Sequence, residues 1–174
     1  MPKIWAVGLT AGLWFFAQPA AAQVIPAQDS IQTQVVQQQH QFNIVGGTTA
    51  DNATLLFHSF EQFDLERGYR ADFHVAPSIE AVFSRITNGS PSHINGALGL
   101  SGSSASLYLM NPAGILFGSE ASLNLAGDFT VLTANRMDFT QGHLGMLGHP
   151  TGVQGNVLQL RFEAASAGTI VNQG

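Results

Sequence analysis

From Leu98 onward the apolar residues of this chain come in pairs spaced by two: Leu98 and Leu100, Leu107 and Leu109, Ile115 and Phe117, Leu123 and Leu125, Phe129 and Val131. Side chains two apart on an extended backbone point to the same side, so each pair marks a short strand with one buried face. From Leu107 on, the pairs recur every six to eight residues and are separated by Asn-Pro or Gly. Strands this short do not pair stably as isolated hairpins. They suit a coil in which each strand lies beside its counterpart one turn later. The step from Leu107 to Phe129 has the length expected of one solenoid repeat. Proline fixes φ, and Gly and Asn tolerate φ > 0, so Asn111-Pro112 and the glycines read as corners. A β-sandwich competes with the β-helix, but sandwich strands usually run to about five or six residues with broader loops. Few charges (10%) and many glycines (19) fit an all-β chain of many turns on either reading.

Upstream the pattern is less regular. Gln23 to Gln41 is polar and glutamine-rich, an N-terminal cap or arm over 23–41, with Ile31, Val35 and Val36 turned inward if it forms a strand. Phe42 to Val45 reads as a strand closed by Gly46-Gly47. The apolar residues 56, 57, 60, 63 and 65 fit neither period: a helix or strands broken at Ser59 and Gln62 would both serve. Phe73 and Val75 share a face, and Ile79 to Ile86 reads as helical in its first turns or as a strand leading into an Asn88-Gly89 turn.

The stretch 1–22 reads as a signal peptide. Lys3 supplies the positive start, Ile4 to Phe16 the apolar region, and "QPAAAQ" a cleavage site between Ala22 and Gln23. The apolar region falls well short of the roughly 20 residues needed to span a bilayer. Cleavage would leave 23–174, enough for one domain with a sizeable core. It also removes the only lysine, leaving five arginines against eleven acids. That balance argues against nucleic acid and anionic membranes as partners. The chain has no cysteine, which excludes disulfide staples and cysteine zinc sites, and suits a chain that stays unfolded while it crosses a further membrane.

The residues offer little chemistry. Six histidines (40, 58, 74, 93, 143, 149) lack metal-ligand spacing. His58 and His74 are the pair that a fold could bring together, but a structural hydrogen bond is the simpler role for His58. Asp64, Glu66 and Asp72 cluster around Arg67 and Arg70, as a charge-balanced turn would, although glycoside cleavage also needs paired carboxylates. "GLSGS" at 99–103 has Ser103 where a nucleophile elbow needs Gly. "NAT" at 52–54 and "NGS" at 88–90 match glycosylation sequons, a pattern common by chance. No catalytic residue, metal or cofactor is expected.

"NPAGILFGSEASLNLAGDFTVLTAN" (111–135) resembles the N-terminal domain of the filamentous haemagglutinin family, the exoproteins of two-partner secretion. That family carries Asn-Pro-Asn-Gly-Ile, then Phe-Gly, a short strand and Thr-Ala-Asn. Asn111, Pro112, Gly114, Ile115, Phe117 and Gly118 match, while Ala113 replaces the second Asn. "FNIVGGTTADNATLLFHSFEQFDLERGYRADF", with Phe57, His58, Ser59, Phe60 and Phe63, and "ITNGSPSHINGAL" resemble the preceding blocks, in the form associated with cyanobacterial members. The likeness runs from about Phe42 to Asn135, and the family's Asn-Pro-Asn-Leu motif is absent.

The resemblance implies a right-handed, single-stranded parallel β-helix over 42–174, following the cap. It implies a secreted or cell-surface protein that reaches the periplasm through the Sec machinery. There a dedicated outer-membrane β-barrel transporter recognises it, still unfolded, through periplasmic domains. Asn111 to Gly118 would set the turn, and Phe57 to Phe63 would belong to the export-competent region. Losing the second Asn should loosen the corner by roughly 0.5–1.5 kcal/mol if its side chain was bonded. A surface adhesin or carbohydrate-binding module is the alternative, and a degenerate polysaccharide-active enzyme a third. In the tail, Leu158, Leu160 and Phe162 read as a further strand, "QGHLGMLGHPTGVQG" as a loop or cap, and "AGTIVNQG" as sequence leading into more solenoid. A chain stopping there is expected to be a truncated exoprotein or a small module capped by 136–174.

Overall fold

A computed structural model of the protein describes residues 22–162 and 168–174. The leader expected over 1–22 therefore lies outside the described residues, except for Ala22, which is buried.

Four short strands come first: β1 (Gln23–Pro26), β2 (Thr33–Gln38), β3 (Gln41–Gly46) and β4 (Thr48–Ala50). β2 and β3 form an antiparallel hairpin, with Gln38 opposite Gln41 and Gln39 at φ 54° in its turn. Ile31 is fully buried and Val35 packs on the core, but Val36 is 49% exposed. Adjacent residues of a strand point to opposite faces, so Val35 and Val36 cannot both turn inward.

β5 (Leu55–Asp64) begins the solenoid as one unbroken strand, with β1 and β4 antiparallel on it. Neither a helix nor breaks at Ser59 and Gln62 occur there. The rungs continue through β6 (Arg70–His74), β7 (Ala81–Ile86), β8 (Ser92–Ile94), β9 (Ala97–Ser101), β10 (Ser106–Met110), β11 (Ile115–Phe117), β12 (Ser122–Asn124) and β13 (Phe129–Leu132). The chain then leaves the coil for a long antiparallel hairpin, β14 (Arg136–Gly145) and β15 (Thr151–Arg161). It returns as β16 (Ile170–Asn172).

Three faces result, each a stack of parallel strands: β5, β7, β10 and β13; β8, β11 and β16; and β3, β6, β9 and β12, with β2 closing the last. This is a parallel β-helix and not a sandwich. Leu107 lies opposite Phe129, the one-turn step read from the sequence. The 79–86 stretch holds strand β7 and no helical turn, and Gly89 after it has φ 78°.

Two cores flank the long face. Inside the coil, Leu56, Phe60, Phe63, Phe73, Val82, Ile86, Leu98, Leu107, Leu109 and Ile115 stack in a bore. Outside it, Leu55, Phe57, Phe83 and Met110 pack under Met137, Phe139, Leu144 and Val153 of the hairpin. A strand covered on both faces has no reason to alternate, which explains the aperiodic β5. Its register against β1 slips at Glu61, a bulge that returns Phe63 to the side of Phe60. Leu160 packs in the outer core, but Leu158 (68%) and Phe162 (54%) are exposed and build no further rung.

The outer core is held by an aromatic ladder and one ion. Phe57, Phe83 and Tyr108 face one another in register, with ring centroids 5.4 and 4.6 Å apart, and Phe139 meets Phe83 edge-on at 5.1 Å. Such pairs contribute roughly 0.5–1.5 kcal/mol each beyond burial. The fully buried Arg85 donates to Ser59 Oγ (3.0 Å), Gly145 O (2.7 Å), Gly148 O (2.7 Å) and Asp29 Oδ2 (2.9 Å). Burial alone would raise the Asp29 carboxyl. Hydrogen bonds from Ser59, the Ile31 N–H and Arg85 outweigh it and hold the group below its usual value. One guanidinium thus ties the N-terminal segment, two rungs and the hairpin together.

Candidate functional site

The Asn111–Gly118 stretch forms the corner between β10 and β11. Asn111 is fully buried, and its side chain builds the corner on three sides. Its Oδ1 accepts the Ala113 N–H at 3.0 Å, while Nδ2 donates to Ser90 O and Ser92 Oγ, both at 3.0 Å, in the rung below. Its backbone O accepts the Gly114 N–H at 3.0 Å, closing a turn in which Gly114 adopts φ 115°. A Cβ on Gly114 would stand 2.8 Å from Thr169 O in the rung above, so neither the φ nor the space admits a side chain. Pro112 O accepts the Gly168 N–H at 2.6 Å. The corner is therefore bonded to the turns before and after it.

Beyond the corner, Ile115 is buried in the bore, and the half-buried Phe117 meets Phe129 edge-on at 6.0 Å. Gly118 follows the strand at a position with no room for a side chain, since a Cβ there would fall 2.2 Å from Asn95 Oδ1, the acceptor of the Glu120 N–H. Ser90, Ser92 and Asn95 are part of this site; they lie in the "ITNGSPSHINGAL" block, but none of them was singled out as a site residue. The signal that finds them is the rung spacing: Ser92 lies opposite Ile115.

Ala113 uses its N–H in the turn, and the next rung passes close over it: a Cβ on Gly168 would come 2.1 Å from Ala113 C. The bond that the corner needs comes from Asn111, so the turn forms without an Asn at 113.

Phe57, His58, Ser59, Phe60 and Phe63 lie about two rungs away on β5, and all five are fully buried. The two groups do not converge on one surface. Phe57 and Ser59 face the hairpin, Ser59 receiving Arg85, while Phe60 and Phe63 fill the bore. His58 corrects an expectation: neither ring nitrogen has a hydrogen-bond partner among the described residues. It sits between the rings of Phe60 (6.1 Å) and Phe73 (5.4 Å), opposite Ser84, whose hydroxyl is also unpartnered. Burial drives its pKa down to about 4, so the imidazole is neutral.

His58 does not meet His74, which sits on the outer face of β6 with Nε2 2.9 Å from Asn43 Oδ1 and Nδ1 2.9 Å from Ser101 Oγ. Asp64 and Asp72 of the acidic cluster are committed to structure. Asp72 accepts from Arg70 and from Gln41, and Asp64 accepts the His93 N–H at 2.7 Å and Gln62 Nε2 at 2.7 Å. Among the described residues no three His, Asp or Glu side chains stand where they could hold a metal ion.

No curated protein matches the chain. The family model of the TPS secretion domain matches residues 22–170, from the buried Ala22 to the first residue of β16. With that match spanning nearly all of the coil, and the bonded corner at Asn111–Gly118 inside it, the chain belongs to the TPS, or two-partner secretion, family as one of its secreted exoprotein domains.

Proposed function

We propose that this domain is the export signal of a non-enzymatic exoprotein, read in the periplasm by the recognition domains of an outer-membrane β-barrel transporter. The leader over 1–22 takes the chain to the Sec machinery and is cleaved between Ala22 and Gln23. The observation that carries the reading is the burial of the Phe57–Phe63 motif residues and of Asn111, the residue that shapes the corner. The side chains of Asn111, Phe57, His58, Ser59, Phe60 and Phe63 are enclosed in the folded coil. A partner that selects these residues must meet them before the coil closes, in the unfolded chain. Asp64 and Asp72, occupied by structural hydrogen bonds, are poor candidates for acid–base catalysis. An adhesin that stacks sugars is less well supported, since Tyr108 lies on Phe83 and Tyr69 packs against His40 and Phe42.

The test is release of the chain into the medium or onto the surface, in cells with and without the transporter. Release is expected only with it, and equal release without it rejects the proposal. Asn111→Ala is then compared with Phe139→Ala, which weakens the outer core around Phe57 but leaves the sequence of both motifs unchanged. Export should fall further for Asn111→Ala than its loss of stability explains. If both variants lose export in proportion to stability, the corner serves only the fold.

A further inference from the structure

The chain holds two Asn-Gly pairs, Asn88-Gly89 between β7 and β8 and Asn95-Gly96 between β8 and β9. An Asn that precedes Gly is the most readily deamidated kind, because no Cβ shields the next peptide nitrogen from the Asn side chain. The surrounding fold decides whether the two groups can meet, and this coil treats the pairs oppositely.

The first pair spans a free loop between two pinned points. Thr87 N–H donates to Phe60 O at 2.9 Å, and Ser92 N–H to Gly114 O at 3.0 Å. Between them Asn88, Gly89 and Ser90 are exposed. Gly89 adopts φ 78°, and a Cβ on it would meet nothing within 4 Å. Among the described residues its N–H has no acceptor. Asn88 Oδ1 accepts the Ser90 N–H at 2.9 Å, which turns the carboxamide forward along the chain and draws charge from its carbon. The second pair is clamped. Asn95 N–H donates to Leu65 O at 2.7 Å, and its Oδ1 accepts the Glu120 N–H at 2.9 Å. A Cβ on Gly118 would fall 2.6 Å from Asn95 Cγ. Gly96 is buried, its Cβ position 2.4 Å from Tyr69 O and 2.7 Å from Glu66 O. The Asn95 side chain therefore cannot swing onto the Gly96 nitrogen unless the turn opens.

We propose that Asn88 is a site of spontaneous modification in the folded protein, deamidating through a cyclic imide while Asn95 is protected. The Gly89 nitrogen, its proton passed to water or hydroxide, attacks Asn88 Cγ and closes a succinimide ring. The Cγ–Nδ2 bond breaks, and the nitrogen leaves as ammonia. The Ser90 N–H stays on Oδ1 as charge develops there, as an oxyanion donor does. Water then opens the ring. Opening at Cγ leaves aspartate; opening at the main-chain carbonyl carbon leaves isoaspartate, whose backbone runs through Cβ and Cγ. In both, an amide has become a carboxyl with no change of oxidation state. The two products differ in consequence. Ser90 O accepts Asn111 Nδ2 at 3.0 Å, so the modified loop runs straight into the Asn111 corner. Isoaspartate lengthens the main chain ahead of that acceptor and slackens the bond, whereas aspartate keeps the length.

Timed incubation of the folded chain in heavy-oxygen water, at neutral to mildly alkaline pH, tests this. Trypsin, cutting the unfolded product after Arg85 and Arg136, leaves both pairs in one peptide, and its fragment ions place each change. Solvent oxygen should enter at residue 88 at least about tenfold faster than at 95, because Asn95 reacts only when its turn opens. The rate should rise with pH, since the Gly89 nitrogen must lose its proton. In urea the two sites should react alike. Equal reaction at both sites in the folded chain overturns the proposal. So does an Asn88 that stays intact over the time in which the urea-unfolded chain reacts. The isoaspartyl form, separated from the aspartyl one, should unfold at lower denaturant than Asn88→Asp; coincident curves overturn the link to the corner.

Discussion

In the Asn111–Gly118 corner each polar atom of the buried Asn111 side chain has a partner, whereas in the Phe57–Phe63 block His58 turns two ring nitrogens to a core in which none of the described residues offers one. Asn111 and His58 are both fully enclosed, yet the two regions tolerate them for opposite reasons. The corner must hold a backbone shape between two neighbouring turns, and the amide of Asn111 supplies one acceptor and two donors where they are needed. The block must fill space on both sides of one strand, and the imidazole is accepted as a ring. It remains there by staying neutral. A buried polar residue can thus be the reason for a local structure or a burden that the structure carries.

Substitutions separate these cases. The largest effect is expected for Phe57→Ala, which removes the end of the aromatic ladder and leaves a cavity beneath Phe139. Denaturant unfolding should show a loss of about 3–5 kcal/mol. Next comes the pH dependence carried by His58. Its folded pKa of about 4 lies below the unfolded value of 6.5, so the unfolded chain binds the proton more readily. The stability it permits is fully present above pH 6.5 and is lost as pH falls through that window towards 4. The loss amounts to about 3 kcal/mol. Unfolding curves of His58→Met should lack this slope, and an unchanged slope would show that other groups carry it. Asn111→Ala breaks three side-chain bonds and takes their partner from the buried Ser92 hydroxyl and from the part-buried Ser90 carbonyl and Ala113 N–H, with an expected cost of about 2 kcal/mol in the same assay. Ala113→Asn, which restores the family residue, should change the stability by less than about 0.5 kcal/mol, because Asn111 already supplies the bond to residue 113.

The rungs could be read from the chain because spacing by two and small-residue corners are local properties. Leu107 finds Phe129 one turn later with no help from distant segments. Elsewhere, what covers a residue decides its role. β5 has no readable period because Phe139 and Val153, several turns further along the chain, roof its second face. Leu123 and Leu158 look alike in sequence, but one stands at the mouth of the bore and the other on the outer side of a hairpin. In the corner the motif residues were legible, while the partners of Asn111 at Ser90 and Ser92 became visible only through the rung register. The Arg85 clamp left no local trace, since its acceptors lie at 29, 59, 145 and 148.

The hairpin inserted between β13 and β16 also sets a timetable. Successive strands of the long face follow one another at nearly even steps, as the partners Leu56, Val82, Leu107 and Phe129 show. Each turn therefore closes a loop of similar length at similar entropic cost, so the coil can zip up steadily from its capped end. Phe117 and its counterpart Asn172 are instead more than twice as far apart along the chain, and that step waits for the detour to be completed. The carbonyls that satisfy Arg85 arrive on the same detour. A chain that becomes free to fold N-terminus first would thus build most of its rungs early, yet seal its first strands only once the hairpin beyond β13 has followed.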